Sequence, residues 1–315
     1  MRAVALFALV ACSKKDAPTD LPPAPQAPIV DDAPAFAGCP YEIWPSHLQA
    51  LEDGTIEIAP QSTLGSKAPQ YGPEHVLASD GTVTSAGTTP RPRRDRTWFL
   101  GDDGGSICRD HDDTTARDCV EFELDAELAK LRGYAAAALD PKGRFFVMSF
   151  TDESKDPSED LVVGFDGTGK RLATWKPARG CDERPELVIG RTSLALCTRD
   201  EDTGIASSWI VRDVSSGKQL ARITGAFDDM RSAVIDDAHF VAYRPDLKAF
   251  EAYDVSTPAK PTLVWRTPIT LSTPSIIAGA GGVVAIAQAS PWNAIILDAT
   301  TGVVKKQLVI DPCRK

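Results

Sequence analysis

One turn motif recurs along the second half of this chain, and it restricts the possible folds more than any other feature. Each copy begins with an Asp at the end of a short apolar stretch; the four are Asp166, Asp213, Asp254 and Asp298, spaced by 47, 41 and 44 residues. An Asp carboxylate in such a turn accepts hydrogen bonds from backbone N–H groups two residues on, and Gly takes the positive φ before the next strand. The motif therefore predicts a repeated strand–turn–strand unit in which the four Asp residues are structural.

A short apolar strand precedes each copy, and a turn-prone stretch precedes each strand. These strands are at 144–150, 193–198, 239–243 and 282–287, and we interpret them as inner strands of the repeat. A period in the low forties with four strands per unit is typical of a β-propeller blade. We therefore predict an all-β fold, a β-propeller of six or seven four-stranded blades, closed by pairing of N- and C-terminal strands. A pair of β-sandwiches is the alternative.

The region before the repeat, residues 39–137, is less regular. Stretches 76–84, 96–101 and 119–124 have the composition of strands, which would allow two or three irregular blades. One patch, 125–138 (DAELAKLRGYAAAA), is helix-like.

Two copies of the turn carry a family resemblance. They are 297–302 (LDATTG) and 165–170 (FDGTGK), the second followed by Trp175. They resemble the repeat of pyrroloquinoline-quinone-type β-propellers, in which an Asp-x-x-Thr-Gly turn and a later Trp recur in each blade. The resemblance covers about 138–310. It implies the fold and no particular activity, because enzymes and non-enzymes share this repeat.

The N-terminus indicates export. After Met1-Arg2 an apolar run, 3–11 (AVALFALVA), leads directly to Cys12. Small residues before a Cys, behind an apolar run, resemble the lipobox of bacterial lipoproteins. The resemblance implies a signal peptide at 1–11 and lipidation of Cys12, and several acyl chains hold a protein at a membrane where one does not. The alternatives are an ordinary signal peptide and an incorrect start site.

The segment after Cys12 has the composition of a tether. Residues 12–38 are rich in Pro and Ala and cannot form a packed core, so we expect an extended connection to a β-propeller domain at 39–315. Ser13 follows Cys12, and the sorting habit of the lipoprotein family then implies the outer membrane in a host with two membranes. We therefore expect a lipid-anchored protein of the bacterial cell envelope.

Cysteine usage is consistent with an oxidising compartment. Without Cys12, six cysteines remain, an even number that suggests up to three disulfides. Cys108 and Cys119 flank an acidic loop, Cys181 and Cys197 flank a strand–turn unit, and Cys39 and Cys313 lie at the two ends of the domain. Free or metal-binding thiols are the alternative, although no Cys-x-x-Cys pair is present.

Charge and motifs exclude several functions. The net charge of −10 is unfavourable for binding nucleic acid, and no apolar run is long enough for a membrane-spanning helix. We predict no metal and no cofactor. An acidic set is interpreted as solvated surface, with a calcium site as the alternative: Asp102, Asp103, Asp110, His111, Asp112 and Asp113. A basic set is interpreted as an exposed loop, with contact to an anionic lipid or glycan as the alternative: Arg91, Arg93, Arg94 and Arg96. Each histidine stands alone, without a second histidine as a ligand partner two or four residues on: His47, His75, His111 and His239.

Two functions follow from these observations. The first is a non-catalytic scaffold, a monomeric propeller that binds a protein or peptide partner at the membrane. The second is an enzyme of the quinoprotein dehydrogenase or lactonase type acting at the central funnel. Quinoprotein dehydrogenases place two adjacent Cys against the cofactor, and this chain has none; lactonases hold Ca²⁺ through Asn and Asp, and this chain has one Asn, Asn293. We therefore predict that the chain is not an enzyme.

Overall fold

A computed structural model describes most of the chain from residue 44 onward. The described residues are 44–50, 56–62, 70–71, 74–77, 83–87, 99–100, 105–110, 117–123, 128, 134–152, 159–179, 182–198, 205–228, 231–271, 275–280, 282–289 and 292–309. The predictions for Cys12, the tether, Cys39, Cys181 and Cys313 lie outside these residues. Within them, no helix is long and apolar enough to cross a membrane.

The described residues form six antiparallel sheets, numbered here in chain order. Sheet 1 contains β1 Trp44–Ala50, β2 Ile56–Ser62, β3 Gln70–Tyr71, β4 Glu74–Leu77 and β5 Val83–Gly87. Sheet 2 contains β6 Phe99–Leu100, β7 Ser106–Asp110 and β8 Arg117–Glu121. Sheet 3 contains β9 Tyr134–Leu139, β10 Phe145–Asp152, β11 Glu159–Asp166 and β12 Arg171–Trp175.

Sheets 4 to 6 repeat the architecture of sheet 3. Sheet 4 contains β13 Asp182–Ile189, β14 Thr192–Thr198, β15 Ile205–Asp213 and β16 Gln219–Asp228. Sheet 5 contains β17 Ser232–Val234, β18 His239–Arg244, β19 Ala249–Asp254 and β20 Thr262–Pro268. Sheet 6 contains β21 Ser275–Ala280, β22 Val283–Ala289, β23 Trp292–Asp298 and β24 Val304–Val309. In each, neighbours in the chain are neighbours in the sheet.

Sheets 2 to 6 follow one another in chain order around a common axis. The first strands of sheets 3 to 6 contact each other in succession, β9 with β13, β13 with β17 and β17 with β21. Sheet 2 packs on sheet 3 through Phe122, whose ring centroid lies 4.6 Å from that of Phe165. β1 contacts β21 and β22, so the last sheet lies beside the first. Successive blades of a β-propeller have this arrangement, whereas β-sandwiches consist of sheets stacked face to face.

The predicted closure by strand pairing is wrong for the described residues. Sheet 6 has the order β21-β22-β23-β24, and no described strand from the N-terminal part pairs with it. Among the described residues, the four strands of sheet 6 all come from the C-terminal segment 275–309. The ends of the domain meet instead by packing of sheet 1 against sheet 6.

The strands interpreted from sequence as inner strands of the repeat are the second strands of their sheets. β14 shows why, since all seven of its residues are buried. A second strand has neighbouring strands on both edges and neighbouring sheets over both faces, so it is the most continuously apolar. The first strands line the axis with a free edge, and they tolerate charged residues and a proline, as β13 does with Glu183 and Pro185.

The helix-like patch at 125–138 is also corrected. Its last five residues belong to strand β9, which pairs with β10 through Leu139–Phe146 and Ala136–Ser149. Alanine has high helix propensity, but tertiary pairing overrides it here. Small side chains suit a strand that faces a neighbouring sheet at the narrow centre of a ring.

The apolar core is divided among the interfaces between neighbouring sheets. The largest side chains that are completely buried are mostly aromatic, and in the interface of sheets 4 and 5 the ring centroids of Trp209 and Phe240 are 5.2 Å apart. One buried cluster joins each pair from sheets 2 and 3 to sheets 5 and 6. Burial between sheets therefore fixes the backbone at both ends of the ring, where the turns project.

Candidate functional site

The four repeated Asp residues lie in tight turns between the third and fourth strands of sheets 3 to 6. Asp166 accepts from the backbone N–H of Thr168 at 2.9 Å, and Asp254 accepts from that of Ser256 at 2.7 Å. Partial burial alone would raise the pKa of Asp166, but hydrogen bonds from Thr168 lower it below its ordinary value. Asp213, Asp254 and Asp298 have lowered pKa values as well. These carboxylates are engaged within their own turns.

The glycines of two of these turns receive a tryptophan from the preceding sheet. Gly217 and Gly302 have φ of 68° and 71°. A Cβ at Gly217 would lie 2.7 Å from the ring of Trp175, and one at Gly302 would lie 2.6 Å from the ring of Trp265. The turn motif thus joins one sheet to the next. The contact is made by Trp175 and Trp265, the tryptophans that follow Asp166 and Asp254 in the sequence.

One of the candidate disulfides is present. Cys108 and Cys119 face each other across β7 and β8, with their Cα atoms 4.1 Å apart, and are bonded. Cys197 is also disulfide-bonded, to a cysteine outside the described residues.

The candidate metal ligands are dispersed or lie outside the described residues. Asp102, Asp103 and residues 111–113 are outside them, as are Arg91, Arg93, Arg94 and Arg96. Among the residues that the structure describes, no three His, Cys, Asp or Glu side chains are grouped so as to hold a metal ion. His239 lies at the start of β18, where its Nδ1 is 2.9 Å from a carboxylate oxygen of Asp236.

A different set of residues converges at one end of the axis. The turns between the first and second strands of sheets 3, 4 and 5 meet there, and they contribute Asp140, Lys142, Arg144, Gly190 and Asp237, which we call the axial cluster. Asp140 is 1% exposed. Its carboxylate accepts from Arg144 Nε at 2.7 Å, from Arg144 Nη2 at 2.8 Å and from the backbone N–H of Gly190 at 2.9 Å. The buried carboxylate thereby joins two neighbouring sheets.

The axial cluster also crosses from sheet 3 to sheet 5. Arg144 Nη2 donates to Asp237 Oδ1 at 2.8 Å, and Lys142 donates to Asp237 Oδ2. The side chains of Lys142 and Asp237 are 60% and 53% exposed, so this part of the cluster is open to solvent. Hydrogen bonding by Lys142 and the charge of Arg144 lower the pKa of Asp237. Since sheets 3 and 5 are not neighbours, these ion pairs lie across the end of the axis.

Sequence reasoning identified the turns of the axial cluster but not their convergence. Asp140-Pro141-Lys142-Gly143 and Asp236-Asp237 are recognisable as turn-forming. Their charges are separated by nearly a hundred residues in sequence, and only the ring brings them together. A repeated charged residue in the first turn of each unit would have been a detectable signal, but each turn has a different sequence.

Two other buried carboxylates form ion pairs with arginines of other strands in the same sheet. Glu183 is bound by Arg212 through Nε at 2.6 Å and Nη2 at 2.7 Å. In sheet 5, Glu251 accepts from Arg266 Nε at 2.7 Å and from Arg244 Nη1 at 3.2 Å. Both carboxylates are buried, so their charges are neutralised inside the fold and do not face a ligand.

The end of the axis opposite the axial cluster holds a smaller polar group. Arg231 Nε donates to the hydroxyl of Ser275 at 2.6 Å and a second nitrogen binds Asp228. These contacts join the start of β17 to the start of β21. All three side chains are largely buried, so this end offers less accessible charge than the axial cluster.

Comparisons with known proteins found similarity only to solved structures, and that similarity is low. No protein-family model matches the chain, and no curated protein matches it. BamB from Moraxella catarrhalis is 11% identical over 69% of this chain and 76% of its own, with a TM-score of 0.33. Hsv2 from Kluyvelomyces marxianus is 8% identical over 70% and 81%, with a TM-score of 0.37. A proposed 6-phosphogluconolactonase from Bacteroides uniformis is 13% identical over 85% and 86%, with a TM-score of 0.41. All three TM-scores are below 0.5, so the function is argued below from the chain's own residues.

Proposed function

We propose that this chain is a cell-envelope lipoprotein whose six sheets are the blades of a propeller that binds a protein or peptide partner without catalysing a reaction. The proposed anchor is a lipid on Cys12, the proposed tether is 12–38, and the proposed location is the outer membrane of a bacterium with two membranes. The observation that carries the binding role is the axial cluster, in which exposed charged side chains stand on turns held by a buried carboxylate.

The geometry of the axial cluster favours recognition over chemistry. Gly190 and Arg144 are fixed by Asp140, so the first turns of sheets 3 and 4 have a defined spacing. Lys142 and Arg144 reach from sheet 3 to Asp237 of sheet 5. A rigid backbone with adaptable charged tips lowers the entropy lost on binding. The tether supports the same role, because an extended segment of 26 residues after Cys12 reaches up to about 80 Å from a membrane at roughly 3 Å per residue.

Fractionation of cells tests the anchor. In a bacterium with two membranes, the natural chain should sediment with outer membranes, and Cys12→Ala should appear in the soluble fraction or remain unprocessed. Ser13→Asp keeps the lipidated Cys and should shift the protein to the inner membrane, whereas Ser13→Ala should not. Continued outer-membrane sedimentation of Cys12→Ala would refute the lipid anchor.

Purified components test the binding role against the enzyme alternative. The full chain, bound to beads through its lipid end, should retain an envelope protein in a fixed ratio, and the purified pair should reform the complex. The same chain, unfolded by heating before use, is the control for folded structure. Sustained turnover of an alcohol with added pyrroloquinoline quinone, or of a lactone with Ca²⁺, would contradict a non-catalytic role if it requires the folded chain.

A further inference from the structure

The two cations of the axial cluster hold one carboxylate between them. Lys142 and Arg144 bind the two oxygens of Asp237, each cation taking a different one. Such a two-cation fork matches the geometry of a carboxylate group, which accepts hydrogen bonds on both oxygens. The fork therefore already has the selectivity that a carboxylate ligand would need, and Asp237 occupies it.

The two sides of the fork are held with very different strength. Arg144 is anchored by Asp140, whose side chain is 1% exposed, and the hydrogen bonds donated to Asp140 raise the pKa of the guanidinium. Asp237, in contrast, is 53% exposed, and exposed ion pairs contribute only about 0–1 kcal/mol. Asp237 can leave at small cost, and Arg144 stays held by Asp140 when it does.

The surroundings of the fork favour an acidic side chain over a chain terminus. Recognition of a terminal carboxylate usually uses free backbone N–H groups. Here the neighbouring backbone groups are engaged: the N–H of Gly190 donates to Asp140, and those of Ala238 and His239 donate to Asp236. Arg191, on the turn between β13 and β14, is engaged within sheet 4, where it donates to Asp213 and Ser215. The fork itself consists of the side-chain donors of Lys142 and Arg144, so the incoming group replaces Asp237 by a like carboxylate.

We propose that the axial cluster is the site where the partner binds, and that it accepts an Asp or Glu side chain of an extended acidic segment in place of Asp237. This inference rests on the proposed binding function and specifies its site. Lys142 and Arg144 supply the positive charge, and Asp237 acts as an internal competitor. Because the whole chain carries −10, long polyanions are repelled and recognition is confined to a short segment.

The direct test uses the full chain and labelled ten-residue peptides of Gly and Ser that carry two Glu. Peptide binding is measured by fluorescence anisotropy at 20 and 150 mM NaCl. Asp237→Asn should raise the affinity about two- to fivefold, and Lys142→Gln should lower it by a similar factor, the range of one exposed ion pair. Lys260→Gln makes the same charge change on the connection between β19 and β20 and should leave binding unchanged. Thermal melting confirms that each variant is folded.

Control peptides distinguish the source of the carboxylate. A peptide with Gln in place of Glu but a free C-terminus should not bind, and the Glu peptide with an amidated C-terminus should bind as well as the free acid. Binding of the Gln peptide, or Glu-peptide binding that is indifferent to Lys142→Gln and Asp237→Asn, would overturn the site. If Lys142→Gln still captures the same envelope protein in the same ratio, the binding function stands and the assignment of its site is wrong.

Discussion

The indole nitrogen of Trp265 donates a hydrogen bond of 2.7 Å to the carbonyl oxygen of Ala299, 34 residues later in the chain. The same indole ring covers Gly302, so one side chain of sheet 5 holds both ends of the turn in sheet 6. The turn sequence thus has a second role beside reversing the chain. It provides the surface against which a tryptophan of the preceding sheet packs.

The substitution Gly302→Ala should destabilise the packing between sheets 5 and 6. An Ala Cβ there would lie 2.5 Å from the Thr267 hydroxyl and 2.6 Å from Trp265, at a φ of 71°. Overpacking and the positive φ together should lower the free energy of unfolding by about 2–4 kcal/mol. Gly282→Ala is the matched control, since φ is 84° but nothing lies within 4 Å; it should cost only about 1–2 kcal/mol. Urea denaturation measures both, and equal losses would contradict docking at Gly302.

The indole N–H groups of Trp175 and Trp265 should contribute differently to the free energy of unfolding. Trp265 donates to Ala299, whereas the buried Nε1 of Trp175 has no hydrogen-bond partner among the described residues. Phenylalanine keeps the apolar ring and removes the donor. Trp265→Phe should therefore lose about 1 kcal/mol more than Trp175→Phe in the free energy of unfolding. The comparison is made by urea denaturation of the two variants, and a larger loss at Trp175 would show that the hydrogen bond to Ala299 contributes nothing.

The buried carboxylate of Glu251 should be essential for sheet 5. It forms ion pairs with Arg244 and Arg266 and accepts a hydrogen bond from the hydroxyl group of Tyr253. Glu251→Gln removes the buried negative charge that these two arginines share, although Arg244 keeps its ion pair with Asp246, and should cost about 3–5 kcal/mol. Tyr253→Phe, which removes one hydrogen bond and keeps the charges, should cost about 1 kcal/mol. Circular dichroism at rising temperature and urea concentration will rank the variants.

A spectroscopic signal accompanies the same substitution. Burial and the negative charge of Glu251 raise the pKa of the Tyr253 phenol above its usual range. An ultraviolet titration of the folded chain should therefore lack the Tyr253 phenolate near its ordinary pKa of about 10. If Glu251→Gln folds, the phenolate of Tyr253 should form at lower pH than in the natural chain. An unchanged titration would show that Glu251 does not act on Tyr253.

The Asp turns predict loss of stability in acid. The folded-state pKa values of Asp166, Asp213, Asp254 and Asp298 are lowered. Groups with lowered pKa values contribute stability that is fully present above the unfolded-state pKa of about 3.9 and is lost as the pH falls through the folded-state values. The free energy of unfolding should thus change little from these groups between about pH 7 and 5, and fall below about pH 4.

A single variant isolates the charge of one turn. Asn retains an acceptor oxygen for the Thr300 N–H but does not titrate, so Asp298→Asn should be less stable at pH 7 and should show a shallower decline in acid. The free energy of unfolding, measured in urea from pH 3 to pH 7, reports both effects. An acid decline as steep as that of the natural chain would exclude Asp298 as a contributor.

Local patterns predicted the repeat because they depend on neighbouring residues only. The Asp turn needs an acceptor, a backbone N–H two residues on and a residue that tolerates positive φ, all within the motif around Asp298 and Gly302. The second strands were equally recognisable, since burial on every side requires continuous apolar sequence, as in β14. The pairing of Cys108 with Cys119 followed from their places on either side of one hairpin loop.

What the sequence determined by itself is thus the repeated unit: where the chain turns, which strands are buried and how often the pattern recurs. The tertiary structure alone decided which strands line the axis, that the last sheet is completed by C-terminal strands, and that Lys142 and Arg144 meet Asp237. These depend on distances between segments far apart in the chain, which local propensity does not encode. They are fixed only when the apolar faces of successive sheets pack and bring the turns to one end of the ring.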